Sequence, residues 1–586
     1  MARAFTCYFH LVNAAEEQHR QRTLRERARS GQLPETLAAT IEEIRERRDS
    51  TWIQDHVARL ALHPVLTAHP TEARRPEVIR ALRSVARILD GLDDPRMSES
   101  ERPQARRELL EAIETLWRAS ERRATPLTVL DEVRAATAVL DETLFEVVPE
   151  IYAELDAALQ PVDAGRRPPL APAFLRFGSW AVGDRDCNPH VTPVATAEAL
   201  QFQHERGVAA LERSIAPLVD LLRAEGAERS QHESLERIQA RLRATRAGRA
   251  DGYPSPDQML VDLRDLQQTL VTTGAARFAY GRLQTLVWQL ETFGFTLAEL
   301  ELRQHSRVHV QALADAEQPD PSETTREVLE TFRMMRTLQN RHGVAACRRY
   351  VVSFTHAASD IAAVYELAER LPPDARPVLN VVPLFETLDD IQRAPQILDE
   401  MLELAQVRRR IAEHGHRFEV MLGYSDSAKE SGPVAATFAM YDAQTALVAW
   451  AATRDIQLTI FHGRGGSLGR GGGPANRAIL AQAPGSMSGG FKVTEQGEVV
   501  FARYGNAALA RRHLEQVASA VLDASDPSTE DRRRQAALRW QGLADRIAGA
   551  AGTAYRELID EEAFTEWFAR VSPVDEVDRL HIGSRP

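Results

Sequence analysis

The residues best suited to chemistry lie in the run Phe461-His462-Gly463-Arg464-Gly465-Gly466-Ser467-Leu468-Gly469-Arg470-Gly471-Gly472-Gly473-Pro474. Seven glycines in fourteen residues let a backbone approach a ligand closely and turn its amides inward. Two arginines and a histidine add positive charge, the arginines with donors arranged to grip two oxygens at once. A β-prone run, Leu458-Thr459-Ile460-Phe461, leads in, so the pattern is a strand ending in an anion-binding loop. Flexible linkers and Arg-Gly RNA-binding tails share this composition, but both have low-complexity polar flanks. Here the flanks are hydrophobic and structure-forming.

Other short apolar runs end in similar groups. One leads to Leu66-Thr67-Ala68-His69-Pro70-Thr71-Glu72, and a second to Gly178-Ser179-Trp180 and then Gly183-Asp184-Arg185-Asp186. Further runs end at Arg303, at Leu384-Phe385-Glu386 and at Gly423-Tyr424-Ser425-Asp426-Ser427-Ala428-Lys429. Taken singly, each has an ordinary structural role as a helix cap or salt-bridge partner. Taken together they supply four cations (Arg303, Lys429, Arg464, Arg470), two carboxylates (Glu386, Asp426) and two imidazoles (His69, His462). Oxygen ligands without cysteine suit Mg²⁺ or Mn²⁺ better than zinc. Arginines hold phosphate or carboxylate, and histidine moves protons near neutrality. The residues alone point to a metal-assisted reaction of a small phosphorylated carboxylic acid.

Positioning such groups requires a frame. Eight β-like runs occur, at 64–68, 174–180, 297–303, 350–355, 378–385, 418–423, 458–461 and 491–494. Helix-patterned stretches, such as 389–411 and 435–452, separate them. This alternation predicts an α/β fold, a (β/α)₈ barrel whose C-terminal mouth collects the polar strand ends. The first two intervals are long enough to carry inserted helices, so the protein is helix-dominated overall. The expected organisation is N-terminal helices over 1–60, the barrel with its insertions over 61–520, and the start of a C-terminal helical region over 521–586.

Composition narrows the partners. The 586 residues are 44% hydrophobic and 27% charged with a net charge of −12, which argues against general nucleic-acid binding. No apolar run reaches membrane-spanning length, and three widely spaced cysteines fit a reducing cytoplasm. Only two of the 72 basic residues are lysine, Lys429 and Lys492. A surviving lysine marks a place where a compact ammonium is needed. That reading is taken for Lys429, and chance survival for Lys492.

In sequence and order, 66–72, 177–189, Glu386, 423–429, 461–474 and 493–498 closely resemble the signature regions of the phosphoenolpyruvate carboxylases, and the similarity runs from about Arg3 to the last residue. The resemblance implies a helix-embedded (β/α)₈ barrel, usually homotetrameric. The implied reaction joins phosphoenolpyruvate and bicarbonate into oxaloacetate and phosphate with Mg²⁺ or Mn²⁺, feeding four-carbon acids to the tricarboxylic acid cycle. It also implies that His69 takes the proton from a carboxyphosphate intermediate, and that Glu386 and Asp426 hold the metal. Lys429 would assist bicarbonate use. Arg303, Arg464 and Arg470 would surround the phosphate and bicarbonate, and His462 would bind substrate. Trp180, Leu384 and Met421 would enclose the substrate's methylene group, and Arg585 would lead into a mobile loop.

Two departures from the family pattern carry expectations. Val182 and Cys187 stand where the family usually has glycine, so a positive φ at either position would be strained. The chain also stops at Gly583-Ser584-Arg585-Pro586 and starts late, where the family continues into a loop, a further arginine and an inhibitory dicarboxylate site. The matching expectation is that activity belongs to a longer protein. The alternative is a non-catalytic chain that binds phosphoenolpyruvate or needs a missing C-terminal portion.

Overall fold

Each of the eight apolar runs becomes a parallel stave in the computed structural model, which describes residues 1–68, 76–119, 127–186, 188–224, 229–463, 474–488 and 490–574. The staves are β1 (Leu62–Leu66), β2 (Gly178–Ser179), β3 in two pieces (Glu299–Leu300 and Leu302–His305), β4 (Arg349–Ser353), β5 (Asn380–Phe385), β6 (Arg417–Gly423), β7 (Gln457–Gly463) and β8 (Phe491–Glu495). The strand order runs β3, β2, β1, β8, β7, β6, β5, β4 and back to β3. The first piece of β3 pairs with β2 and the second with β4, so the barrel closes through the joint at Glu301. Beyond Ser179 the chain turns and rejoins β3, where Arg303 N donates to Gly183 O and Arg185 N to Arg303 O, both at 2.9 Å. The expected helix-rich α/β barrel is what forms.

The long first two intervals hold helices, as their length required. Pro76–Leu92, Arg102–Arg118, Val129–Val139 and Phe145–Leu159 lie between β1 and β2. Pro193–Ala224, Arg229–Arg246, Pro256–Thr272 and Leu283–Phe293 lie between β2 and β3. The stretch expected as one helix over 389–411 is two, Leu388–Leu402 and Ala405–Glu413, because Leu404 is extended (ψ 121°). Leu, Ile, Val and Phe side chains fill the space between staves and helices. Complete burial of one such side chain stabilises the fold by about 1.5–3 kcal/mol.

Inside the barrel the side chains form layers. Val65, Trp180, Val351, Val382, Leu384, Met421 and Phe461 make an apolar middle layer. Beneath it, toward the strand starts, Lys492 Nζ donates to Glu301 Oε1 (2.5 Å) and Glu419 Oε1 (2.6 Å) and sits 4.4 Å from the Phe461 ring centre. Chance survival of Lys492 is therefore the wrong reading. An ammonium with 1% exposure, held between two carboxylates, is a place where its compact shape matters. No sequence neighbour announces those partners, which lie 191 and 73 residues away.

Candidate active site

At the C-terminal ends of the staves, β3 presents Arg303 to the mouth. Its Nε and Nη2 each donate at 2.8 Å to one carboxylate oxygen of Asp184, and the guanidinium lies 4.9 Å from the Trp180 ring centre. The charge of Asp184, with those of Asp186 and Glu386 behind it, outweighs burial and raises the Arg303 pKa. The Trp180 indole is fixed from below, where Nε1 donates to Glu301 Oε2 at 3.1 Å. Phe461 meets it edge-on at 5.7 Å.

Glu386 follows β5 directly and is 4% exposed. Burial pushes its carboxyl up to about 7, and the negative charges of Asp426 and Asp186 push the same way. Arg303 and a 2.9 Å hydrogen bond from the Phe354 N–H oppose that rise. Phe354 donates from a φ of 51°, a left-handed conformation that a bulky residue adopts only at a cost. β6 passes so close that a Cβ on Gly423 would lie 2.6 Å from Glu386 Cγ.

The helix Tyr424–Ser431 starts where β6 ends, which sets Asp426 in its first turn and Lys429 one turn later. Their side chains meet at 2.9 Å, and the Lys429 side chain is 75% exposed. The helix Pro527–Ile559 anchors the far end: Tyr555 Oη donates to Lys429 O (2.9 Å) and Arg556 Nη1 to Glu430 O (3.0 Å). On β7, buried His462 places Nδ1 3.0 Å from Tyr424 Oη, which accepts from Gln444 Nε2 at 3.2 Å.

Among the described residues, no three His, Cys, Asp or Glu side chains converge as a ready-made metal cage. The donor set nevertheless suits a hard divalent cation. Glu386 feels Asp426 and Asp186 as like charges, a crowding that such a cation relieves. Mg²⁺ usually takes only one or two carboxylates and keeps water or substrate oxygens for the rest.

Comparison with known proteins bears on the same region. The family model described as phosphoenolpyruvate carboxylase matches residues 1–249, 227–318 and 315–586. The phosphoenolpyruvate carboxylase of Roseiflexus castenholzii is 36% identical over 674 aligned residues, covering 100% of this chain and 71% of that protein. The proteins of the same name from Rhodopseudomonas palustris strain BisA53 and Gloeobacter violaceus are 35% and 34% identical, covering 100% of this chain and 70% and 71% of theirs. The chain belongs to the phosphoenolpyruvate carboxylase family.

That family consists of carboxy-lyase enzymes, and several of its signature residues meet in this fold. Arg303, Trp180 and Glu386 converge at the barrel mouth. Leu384 and Met421 join Trp180 in the apolar layer below. Asp426 and Lys429 pair on one helix, and His462 packs beside Tyr424. His69, Arg464, Arg470 and Arg585 lie outside the described residues, as does Cys187; Cys7 and Cys347 are buried. Four further contributors have no role assigned by the sequence alone: Asp184, Tyr424, Glu301 and the Phe354 backbone. Asp184 and Tyr424 stand inside phosphoenolpyruvate carboxylase signature segments, which was their available signal. Nothing local marks Glu301 or the φ of Phe354. No helix among the described residues is long and apolar enough to cross a membrane.

Proposed function

We propose that the active site these residues build carries out the carboxylation of phosphoenolpyruvate by bicarbonate, giving oxaloacetate and phosphate. The supporting observation is that a buried carboxyl, a paired arginine and an apolar pocket wall, from three different staves, meet at one end of the barrel. In this reading, bicarbonate oxygen attacks the phosphorus and the P–O bond to the enol breaks, leaving pyruvate enolate and carboxyphosphate. His69 takes the carboxyphosphate proton, the C–O bond cleaves to CO₂ and phosphate, and the proton passes to the phosphate. The enolate carbon then attacks CO₂.

Arg303, held by Asp184, stabilises charge on the transferring phosphoryl group, and Arg464 and Arg470 share that task. Lys429 orients bicarbonate, and His462 steadies the substrate. Trp180, Leu384 and Met421 enclose the enolate and exclude water that would protonate it. Glu386 and Asp426 would hold Mg²⁺ or Mn²⁺, which supplies positive charge to the phosphate and enolate oxygens when bound. Arg585 takes a catalytic role in this reading. The same reading makes the protein a cytoplasmic homotetramer that supplies four-carbon acids to the tricarboxylic acid cycle.

The test is oxaloacetate formation by the purified chain, followed by coupled reduction to malate, with phosphoenolpyruvate, bicarbonate and Mg²⁺ or Mn²⁺. Oxaloacetate that requires all three components, and is lost in Glu386→Gln, is the expected result. Binding of phosphoenolpyruvate with no oxaloacetate formed would overturn the proposal in favour of a chain that only binds.

A further inference from the structure

The opposite end of the barrel holds a cavity of about 210 Å³, walled by the first residues of the staves. Among the described residues, six cationic side chains line it: Arg176, Arg348, Arg349, Arg410, Arg417 and Lys492. Only two carboxylates line it, Glu299 and Glu419. The deepest cations are matched. Arg349 pairs with Glu299 and Glu419, and Lys492 with Glu419 and with Glu301 behind the wall.

The rim arginines are not matched in the same way. Arg176 donates to the backbone carbonyl of Glu291, and Arg417 Nε to the amide oxygen of Gln457. Arg348 reaches Glu299 only at 3.9 Å, and its buried Nε–H has no acceptor among the described residues. Arg410 Nε donates to Asn380 Oδ1, and its one carboxylate partner among the described residues, Glu413 at 3.1 Å, is exposed. Cations gathered in a partly enclosed space cost free energy unless counter-charge arrives.

We infer that this cavity binds a compact polyanion bearing two or more carboxylate or phosphate groups, a site distinct from the barrel mouth. Several guanidinium groups lining one hollow can make forked contacts to such oxygens. The volume admits a small metabolite and excludes a polymer. Two histidines on the wall report the same positive field. Burial first, then the surrounding Arg348, Arg410, Arg349 and Arg417, hold His414 down to about 4. His63 lies well below its ordinary value through burial and the charges of Lys492, Arg349, Arg176 and Arg348. The inference is independent of the proposed reaction, because it concerns binding at the strand starts.

The test is calorimetric titration of the metal-free chain with citrate and, separately, with pyrophosphate, which distinguishes carboxylate from phosphate preference. One saturable site for at least one probe is expected, weakened roughly tenfold or more by Arg348→Gln with Arg410→Gln and retained in Glu386→Gln at the other end. A second variant guards against misfolding: His414→Glu places a carboxylate among the rim arginines, so it should raise the melting temperature while weakening the probe. No saturable binding, or binding unchanged in both rim variants, overturns the inference.

Discussion

Arg303 and Asp184 form a two-pronged pair, with Nε and Nη2 of the arginine each 2.8 Å from one oxygen of the aspartate. The aspartate comes from the turn after β2 and the arginine from β3, at the point where the barrel closes. The pair thus stitches the last joint of the barrel and aims a guanidinium over Trp180 in one contact.

Replacing that aspartate tests its role as a positioning residue. Asp184→Asn keeps the size but removes the charge-assisted pair, a loss of about 1.5–3 kcal/mol. The expected outcome is a fall of roughly 10- to 100-fold in kcat/KM for phosphoenolpyruvate. Steady-state kinetics, with melting temperature measured alongside, check it. A stable variant with parental kcat and KM would remove Asp184 from the site.

The buried ammonium of Lys492 yields a stability prediction. Lys492→Met leaves Glu301 and Glu419 facing each other without the cation between them, which should destabilise the fold by about 3–5 kcal/mol. Adding Glu419→Gln should recover part of the loss. Denaturant midpoints of the parent, single and double variants measure it, and equal midpoints for parent and single variant would refute it.

Val182 stands at φ 60° while buried at 2% exposure against Ala181, Val191 and Ala199. A left-handed conformation costs an L-residue about 1–2 kcal/mol, and glycine escapes that cost. Val182→Ala and Val182→Gly both lose the packed methyls, but only the glycine relieves the backbone. Val182→Gly should therefore be at least as stable as Val182→Ala, reversing the usual advantage of alanine, which is about 0.5–1 kcal/mol. Thermal unfolding of the two variants decides the order.

His309 sets an acid limit. It is fully buried with Nε2 2.9 Å from Tyr350 Oη, and burial lowers its pKa to about 3. Below pH of about 6.5 the unfolded chain takes up a proton that the folded chain refuses. Its stability contribution is thus whole above that pH and is lost as pH falls toward the folded value, at up to about 1.4 kcal/mol per unit. His309→Gln, which can still bond Tyr350, should lose less stability than the parent between pH 7 and pH 5. Parallel melting curves with the same pH slope would count against it.

Much of the fold was legible because each stave is a short apolar run followed at once by polar residues, a pattern that local periodicity carries. Glu386, Asp426 and Arg303 could be picked out because a strand end feeds directly into the mouth. The Val182 departure made strain conditional on a positive φ, and the φ there is 60°. Other features had no local trace. The split of β3 at Glu301 depends on two different neighbours pulling on one strand. The role of Lys492 depends on carboxylates from β3 and β6, so composition alone misjudged it.

By itself the sequence determined the chemistry available at every strand end and the alternation that builds a barrel, because both depend on residue type and short-range spacing. Only the tertiary structure decided which charges meet. Arg303 with Asp184, Lys492 with Glu301 and Glu419, and the arginine-lined hollow beneath them arise from strand register and barrel closure. Lys492 and Glu301, for example, stand 191 residues apart in sequence, and electrostatic energy depends on distance in space rather than on separation along the chain.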